Sequence, residues 1–164
     1  MTILAEMDAS DHRSAAIVAA AFVENNLALA IMARLRRLDA AEQEHLFENR
    51  GTISDFASKI DLGFALNIYG PLVRDDLDCI RQIRNRFAHY LDIRDFDHPN
   101  VSTFCDALNG RRYLDDLARP RQPELPTRRK VFLIVASHFG ARFDLESKST
   151  HTPPGGAALV APDY

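Results

Sequence analysis

Residues 75–91 read DDLDCIRQIRNRFAHYL and decide the fold, because their apolar side chains recur at the spacing of an α-helix. At about 100° per residue, one face of this helix collects Leu77, Ile80, Ile83, Phe87 and Leu91. Arg84 falls inside that apolar face. A guanidinium does not shed its charge, so its burial requires carboxylate partners. The segment predicts a core helix that carries a paired, partly buried arginine.

Two acidic residues elsewhere also lie where apolar side chains are expected. Glu24 interrupts the apolar stripe of the first predicted helix, and Asp61 lies between apolar residues of the third. A buried arginine needs such partners from neighbouring helices. We therefore predict that Arg84 pairs with Glu24, with Asp61 or with both.

A polar row borders the predicted position of Arg84. Arg81, Asn85 and His89 follow one another at intervals of four residues and share one strip of the helix. Such a strip is typical of a structural polar network, with Glu24, Asp61 and Arg84 as its other members. The alternative is a phosphate-binding groove, in which arginine holds an oxyanion and histidine transfers a proton near neutral pH.

The rest of the chain also shows helical periodicity, with no alternating strand pattern bounded by tight-turn residues. The prediction is an all-α bundle of five or six helices forming one domain over 1–146, followed by a mobile tail over 147–164. The predicted helices run from a Ser10 or Asp11 cap to Leu38, over Ala40–Glu48, from a Thr52 or Ser54 cap to Tyr69, over Leu72–Leu91, over Ser102–Leu108, and over Arg128–Leu145 after a Thr127 cap.

Composition limits the classes of protein. The chain has 164 residues, 46% of them apolar and 26% charged, which fits one globular domain. Cys79 and Cys105 lack the spacing of a disulfide framework or a cysteine zinc site, so neither a metal nor a cofactor is predicted. The start of the chain does not read as a signal peptide, and a cytoplasmic location is expected. Residues 15–33 are apolar enough to suggest a membrane span, but Glu24, Asn25 and Asn26 at their centre favour a buried helix and no membrane.

Two features bear on nucleic acid. The net charge of -3 removes the simplest argument for nucleic-acid binding, yet Arg111–Lys130 holds seven bases against three acids. This stretch predicts either a solvated face or a surface for RNA or DNA. Residues 46–66 read as helix, glycine turn and helix, but Lys59 is the one base in the would-be recognition helix. That helix suits a core better than a major groove.

Three segments together resemble the mannitol operon repressor family over most of residues 10–110. They are residues 14–24, the run ISDFASKIDLGFALNIYG at 53–70, and residues 75–91. In addition, RNRFAH at 84–89 is similar to the Arg-x4-His signature of the HEPN superfamily. That superfamily consists of helical, usually dimeric domains, which include ribonuclease toxins and inactive RNA-binding or scaffolding members.

These resemblances imply two functions. The first is a homodimeric, non-enzymatic transcriptional regulator that works through a protein partner or an RNA- or DNA-bound partner. The alternative is a metal-independent, toxin-like ribonuclease in which Arg84 and His89 occupy the catalytic positions.

Overall fold

The computed structural model describes residues 7, 9–35, 37–48, 50–110 and 127–149, and those ranges contain six α-helices and no strand. The helices are α1 (His12–Arg34), α2 (Ala40–Phe47), α3 (Phe56–Ala65), α4 (Pro71–His89), α5 (Pro99–Asp106) and α6 (Arg128–Ser147). The predicted all-α class is therefore confirmed. Residues 111–126 and 150–164 lie outside the described residues. The division of the chain at residue 146 remains a prediction.

Short polar side chains start most of these helices. Asp11 accepts a hydrogen bond from Ser14 N at the start of α1, and Thr127 accepts one from Lys130 N at the start of α6. Asp55 caps α3, rather than the predicted Thr52 or Ser54. α4 begins differently, because its first residue is Pro71 and the Gly70 before it offers no side chain.

Several helix ends differ from the sequence prediction. α1 ends at Arg34 instead of Leu38, and α5 spans Pro99–Asp106 instead of Ser102–Leu108. α3 ends at Ala65 instead of Tyr69, because Asn67 adopts a left-handed conformation with φ of 55°. Asparagine tolerates this conformation better than most residues. The turn brings the Tyr69 hydroxyl 2.6 Å from Ile60 O, to which it donates a hydrogen bond.

α1 lies at the centre of the bundle and packs against α6, α4 and α3. Its buried face consists mainly of small residues: Ala15, Ala16, Ala19, Ala20, Val23, Asn26, Leu27, Ala30 and Ile31. An apolar stripe read from the sequence through Ile17, Ala21, Leu27 and Ile31 holds at Leu27 and Ile31, which are buried, but not at Ile17 and Ala21, which are exposed. Alanines face the core because α6 approaches closely, and a Cβ at Gly140 of α6 would lie 2.2 Å from Phe22 Cε1.

α1 is also long and apolar enough to cross a membrane, by length and composition alone. In the bundle it has the packing of a core helix, because its alanine-rich side is completely covered. A core helix of a globular domain satisfies the same length and composition test.

The apolar face of α4 forms as predicted at Leu77, Ile80, Ile83 and Phe87, which are fully buried. Leu91 is the exception, with 87% of its surface exposed. The helix ends at His89, and Arg13 of α1 donates hydrogen bonds to the carbonyl oxygens of Tyr90 and Ile93 just beyond it. These bonds hold the start of α1 against the end of α4.

Candidate functional site

A three-residue ion cluster joins α1, α3 and α4. Glu24 accepts a hydrogen bond from Lys59 Nζ to its Oε1 at 2.7 Å and another from Arg84 Nη2 to its Oε2 at 3.2 Å. We call Glu24, Lys59 and Arg84 the Glu24 cluster. One carboxylate thus links two cationic side chains from two different helices.

The Glu24 cluster is largely shielded from water. The exposed fractions of its side chains are 9% for Lys59, 18% for Glu24 and 30% for Arg84. Lys59 also donates to Ser54 O at 2.9 Å, and the Arg84 guanidinium carbon lies 6.0 Å from the centroid of the Phe56 ring. Two cations share one anion, so the cluster has a net positive charge. Arg84 is the member that reaches furthest towards solvent.

The prediction that Arg84 pairs with Glu24, with Asp61 or with both is met by Glu24 alone. Asp61 accepts a hydrogen bond from Arg74 Nη2 at 2.7 Å, and 67% of its side chain is exposed. The reason is angular, because Asp61 is rotated by about 100° from the buried Ile60 on the same helix.

Sequence reasoning missed Lys59 as a member of the cluster. The position of Lys59 in the sequence indicates its burial, because it recurs at helical spacing with Phe56, Ile60 and Gly63, which form the buried face of α3. A lysine at that spacing requires a buried carboxylate. The same burial removes the basis for a helix-turn-helix, because the base in α3 is bonded inside the bundle.

The polar row of α4, which consists of Arg81, Asn85 and His89, does not bond the Glu24 cluster in the described structure. Arg81 bonds Asp78 Oδ1 of its own helix at 2.9 Å. Asn85 is half-buried, and His89 is exposed as the last residue of α4. Within the described part of the chain, no hydrogen bond or ion pair joins Arg81, Asn85 or His89 to Glu24. Arg84 and His89 are five residues apart, so they point about 140° away from each other around the helix axis.

Arg128 and Arg129 belong to the predicted Arg111–Lys130 surface, and the structure shows both of them bonded to groups of the same chain. Arg128 donates to Asp97 Oδ1 at 2.6 Å and to Asp106 Oδ2 at 2.9 Å. Arg129 donates to the carbonyl oxygens of Met7 and Ser10 at 3.0 and 2.7 Å. Both side chains connect the start of α6 to other segments.

Asp76 of α4 is a second buried charge that the sequence did not reveal. Its carboxylate is 1% exposed and accepts hydrogen bonds from Asn109 N at 2.6 Å, Asn109 Nδ2 at 3.2 Å and Gly110 N at 2.7 Å. Burial raises the pKa of Asp76, and the hydrogen bonds oppose that effect. The group anchors the loop after α5.

Cys79 is a half-buried thiol and Cys105 is a buried one. Burial raises the pKa of Cys79 to about 11 and that of Cys105 to about 12. At neutral pH the reactive thiolate form is therefore negligible at both positions.

Several exposed apolar side chains lie on α1 and around the end of α4. The Arg13 contacts beyond His89 and the Glu24–Arg84 pair fix the two helices as antiparallel neighbours. Ile17 and Val18 are 37% and 49% exposed and lie between these two anchors along α1. Ala88 and Leu91 are exposed at the end of α4. We call Ile17, Val18, Ala88 and Leu91 the α1/α4 face.

The fold is an α-helical bundle with a charged cluster at the junction of three helices. It is similar to a chain in the X-ray structure of the MtlR-HPr complex from Escherichia coli, with a TM-score of 0.64 over 86% of this chain and 95% of that chain. The sequence identity is 15%, so the similarity concerns the fold. No protein-family model matches the sequence, and no curated protein matches it.

Proposed function

We propose that the protein is a cytoplasmic, non-enzymatic regulator of the mannitol operon repressor type, which acts by binding other proteins. The observation that carries the proposal is the shared fold with MtlR, a mannitol operon repressor whose X-ray structure is a complex with HPr. The proposed partner of this chain is accordingly an HPr protein, and the proposed assembly is a homodimer.

The α1/α4 face supports a role in protein contact. Ile17 and Val18 lie on α1, Ala88 lies on α4, and Leu91 follows the end of α4 with 87% of its surface exposed. Exposed apolar side chains on neighbouring elements are typical of interaction sites in globular proteins. We assign this face to the second copy of the chain, which leaves the opposite end of the bundle accessible to HPr.

The proposal does not rely on direct nucleic-acid binding through Arg111–Lys130. Within the described residues, Arg128 donates to carboxylates and Arg129 donates to carbonyl oxygens of the same chain. Regulation through a bound protein does not require such a surface.

The dimer is tested by light scattering coupled to size exclusion, on the natural chain and on Val18→Asp and Leu91→Asp. Both residues are exposed, so the charges should disrupt association without unfolding the protein. Leu145→Asp is the matched control, because Leu145 is 58% exposed but lies at the far end of α6. A monomeric natural chain, or equal effects of all three variants, would contradict the assignment.

HPr binding is tested by calorimetric titration of the full chain with HPr from the organism that encodes it. We expect saturable binding that Leu91→Asp leaves intact if the two faces are separate. The absence of heat or of a complex in size exclusion removes HPr as the partner.

A metal-independent ribonuclease is the second candidate, and the exposure of His89 favours it. The imidazole is accessible to a substrate, and Arg84 on the same helix belongs to a cluster with a net positive charge. Because Arg84 and His89 point about 140° apart on α4, the reaction would need two copies of the chain: His89 of one copy would remove the proton of a ribose 2'-hydroxyl or protonate the leaving oxygen, while Arg84 of the other stabilised the charged phosphorane.

Purified protein incubated with mixed RNA in the presence of a chelator tests this candidate. Cleavage that falls at least a hundredfold in His89→Ala supports it. Equal cleavage by the natural chain and His89→Ala, purified identically, assigns the activity to a contaminant.

A further inference from the structure

A cavity of about 410 Å³ opens between the start of α4 and the second half of α6. This volume lies in the range of small-molecule sites in proteins. The cavity is separate from both the Glu24 cluster and the α1/α4 face, since none of their residues lines it.

One wall of the cavity is aromatic. Tyr69, Phe139 and Phe143 line it, with ring centroids 5.7 Å apart for Tyr69 and Phe143 and 6.4 Å apart for Phe139 and Phe143. The Tyr69 hydroxyl is already bonded to Ile60 O, which leaves the ring as its contribution to the wall. These residues are 9%, 3% and 4% exposed in the order Tyr69, Phe139 and Phe143, so the wall presents the edges of their rings to a small apolar group.

The other side of the cavity is electropositive. Arg142 lines it from α6, and the N-terminus of α4 lines it through Gly70 and Val73. The N-terminal end of a helix carries about half a positive charge in backbone N–H groups. The carboxylate of Glu146 also lines the cavity, but Arg34 of α1 is hydrogen-bonded to it and offsets its charge.

The beginning of α4 is open to a ligand. No side chain caps the helix, and its first turn contains no acidic residue. A Cβ added at Gly70 would have no atom within 4 Å, so the backbone there is approachable. In each of the other five described helices, the side chain of the N-cap residue accepts a hydrogen bond from a backbone N–H of the first turn.

His138 adds a group that is neutral at pH 7. Partial burial and the nearby charge of Arg142 lower its pKa. An imidazole in this state recognises polar groups of a ligand without adding a second full charge beside Arg142.

We propose that this cavity binds a small organic anion, in which a carboxylate or phosphate group is attached to an aromatic ring. The anionic group lies against Arg142 and the N–H groups of Leu72 and Val73. The ring packs against Tyr69, Phe139 and Phe143. Binding requires both parts, since the cationic side of the cavity recognises charge and the aromatic wall recognises the apolar body.

The test uses calorimetric titration of the full chain with four probes. Phenyl phosphate and phenylacetate carry both parts, inorganic phosphate carries only the charge, and benzyl alcohol carries only the ring. We expect one or both of the first two probes to bind, and the stronger of them identifies the anionic group. Inorganic phosphate and benzyl alcohol should bind at least tenfold more weakly. Equal binding of phenyl phosphate and inorganic phosphate would overturn the aromatic half of the proposal, and no binding of any probe would overturn all of it.

Two variants locate the site. Arg142→Gln should weaken the binding of the better probe by tenfold or more, because a charge-assisted hydrogen bond is lost. Arg37→Gln, at an exposed arginine in the loop after α1, should leave binding unchanged. If the two variants behave alike, the anion is not bound in this cavity.

Gly70→Asp provides a variant that blocks the site without unfolding the protein. Aspartate can cap α4 with its own carboxylate, which would occupy the position of the anion. We expect binding to be lost while the melting temperature stays the same or rises. Gly70→Ala, which adds no carboxylate, should retain binding. Retained binding in Gly70→Asp would show that the helix end does not contact the anion.

Discussion

Replacing Glu24 with glutamine removes the negative charge between Lys59 and Arg84 while it keeps the size of the side chain. The two cationic nitrogens bond the two oxygens of one carboxylate, so they lie roughly 5–7 Å from each other. At an effective dielectric constant of about 20, two unit charges at that separation repel by about 2.4–3.3 kcal/mol. The Glu24→Gln variant therefore retains two shielded, mutually repelling cations.

The loss of stability should be about 3–4 kcal/mol, because this repulsion, which is present in the natural chain too, is no longer offset by the attraction of both cations to Glu24, and both hydrogen bonds weaken. This value agrees with the range of about 3–5 kcal/mol for the loss of one partner of a buried ion pair. For a domain of this size, it corresponds to a fall in melting temperature of roughly 6–16 °C. Arg84→Gln should cost only about 1 kcal/mol, since Lys59 remains paired with Glu24.

The assay is thermal and urea unfolding followed by circular dichroism at pH 7, on the natural chain and its variants. Asp61→Asn is the matched control, because it removes a carboxylate from an exposed ion pair and should change stability by less than about 1 kcal/mol. A double variant, Glu24→Gln with Lys59→Met, should recover part of the loss because one of the two cations is removed.

Two results would refute this reasoning. One is a Glu24→Gln variant that melts within about 2 °C of the natural chain, a shift that corresponds to less than about 1 kcal/mol. The other is a double variant that is less stable than Glu24→Gln alone, which would mean that Lys59 stabilises the fold independently of Glu24.

Three further outcomes are expected. Gly140→Ala should lower the free energy of unfolding in urea by about 1–2 kcal/mol, because the added Cβ would overlap Phe22. Gly70→Ala is the control and should be nearly neutral, since nothing lies within 4 Å of a Cβ there. Equal effects of the two variants would contradict the close packing of α1 and α6. The pKa of Asp76 is raised above 3.8 in the folded state, so the unfolded chain loses this proton at a lower pH than the folded chain does. The free energy of unfolding should therefore fall as the pH rises from about 3.8 to the folded-state pKa. Denaturation series on the natural chain and Asp76→Asn should show this pH dependence only in the natural chain. Cys105 should resist alkylation at pH 8 until urea unfolds the chain; rapid labelling of the native protein would refute its burial.

The face of α4 could be predicted from the sequence because its apolar residues alternate with charged ones. Leu77, Ile80, Ile83 and Phe87 stand out at helical spacing, and an arginine among them required an acid such as Glu24. α1 offered no such contrast, because nearly all of its residues are apolar or small. The buried side of α1 depends on how closely α6 approaches, and sequence periodicity does not contain that distance.

The rest of the cluster escaped prediction for local reasons. Asp61 and Lys59 are two residues apart on α3, and helix geometry directs one outward and the other inward. α3 ends early because Asn67 adopts a left-handed backbone conformation, and the pattern of apolar residues does not indicate that conformation. The roles of His89 and of the polar row remain predictions.

The packing of α1 against α6 has a consequence for synthesis of the protein. The first long helix leaves the ribosome about 90 residues before the start of the helix that covers its alanine face. At about 5–20 residues per second, that apolar surface waits roughly 5–20 s for its partner. The nascent chain therefore exposes an aggregation-prone apolar surface until α6 has been synthesised.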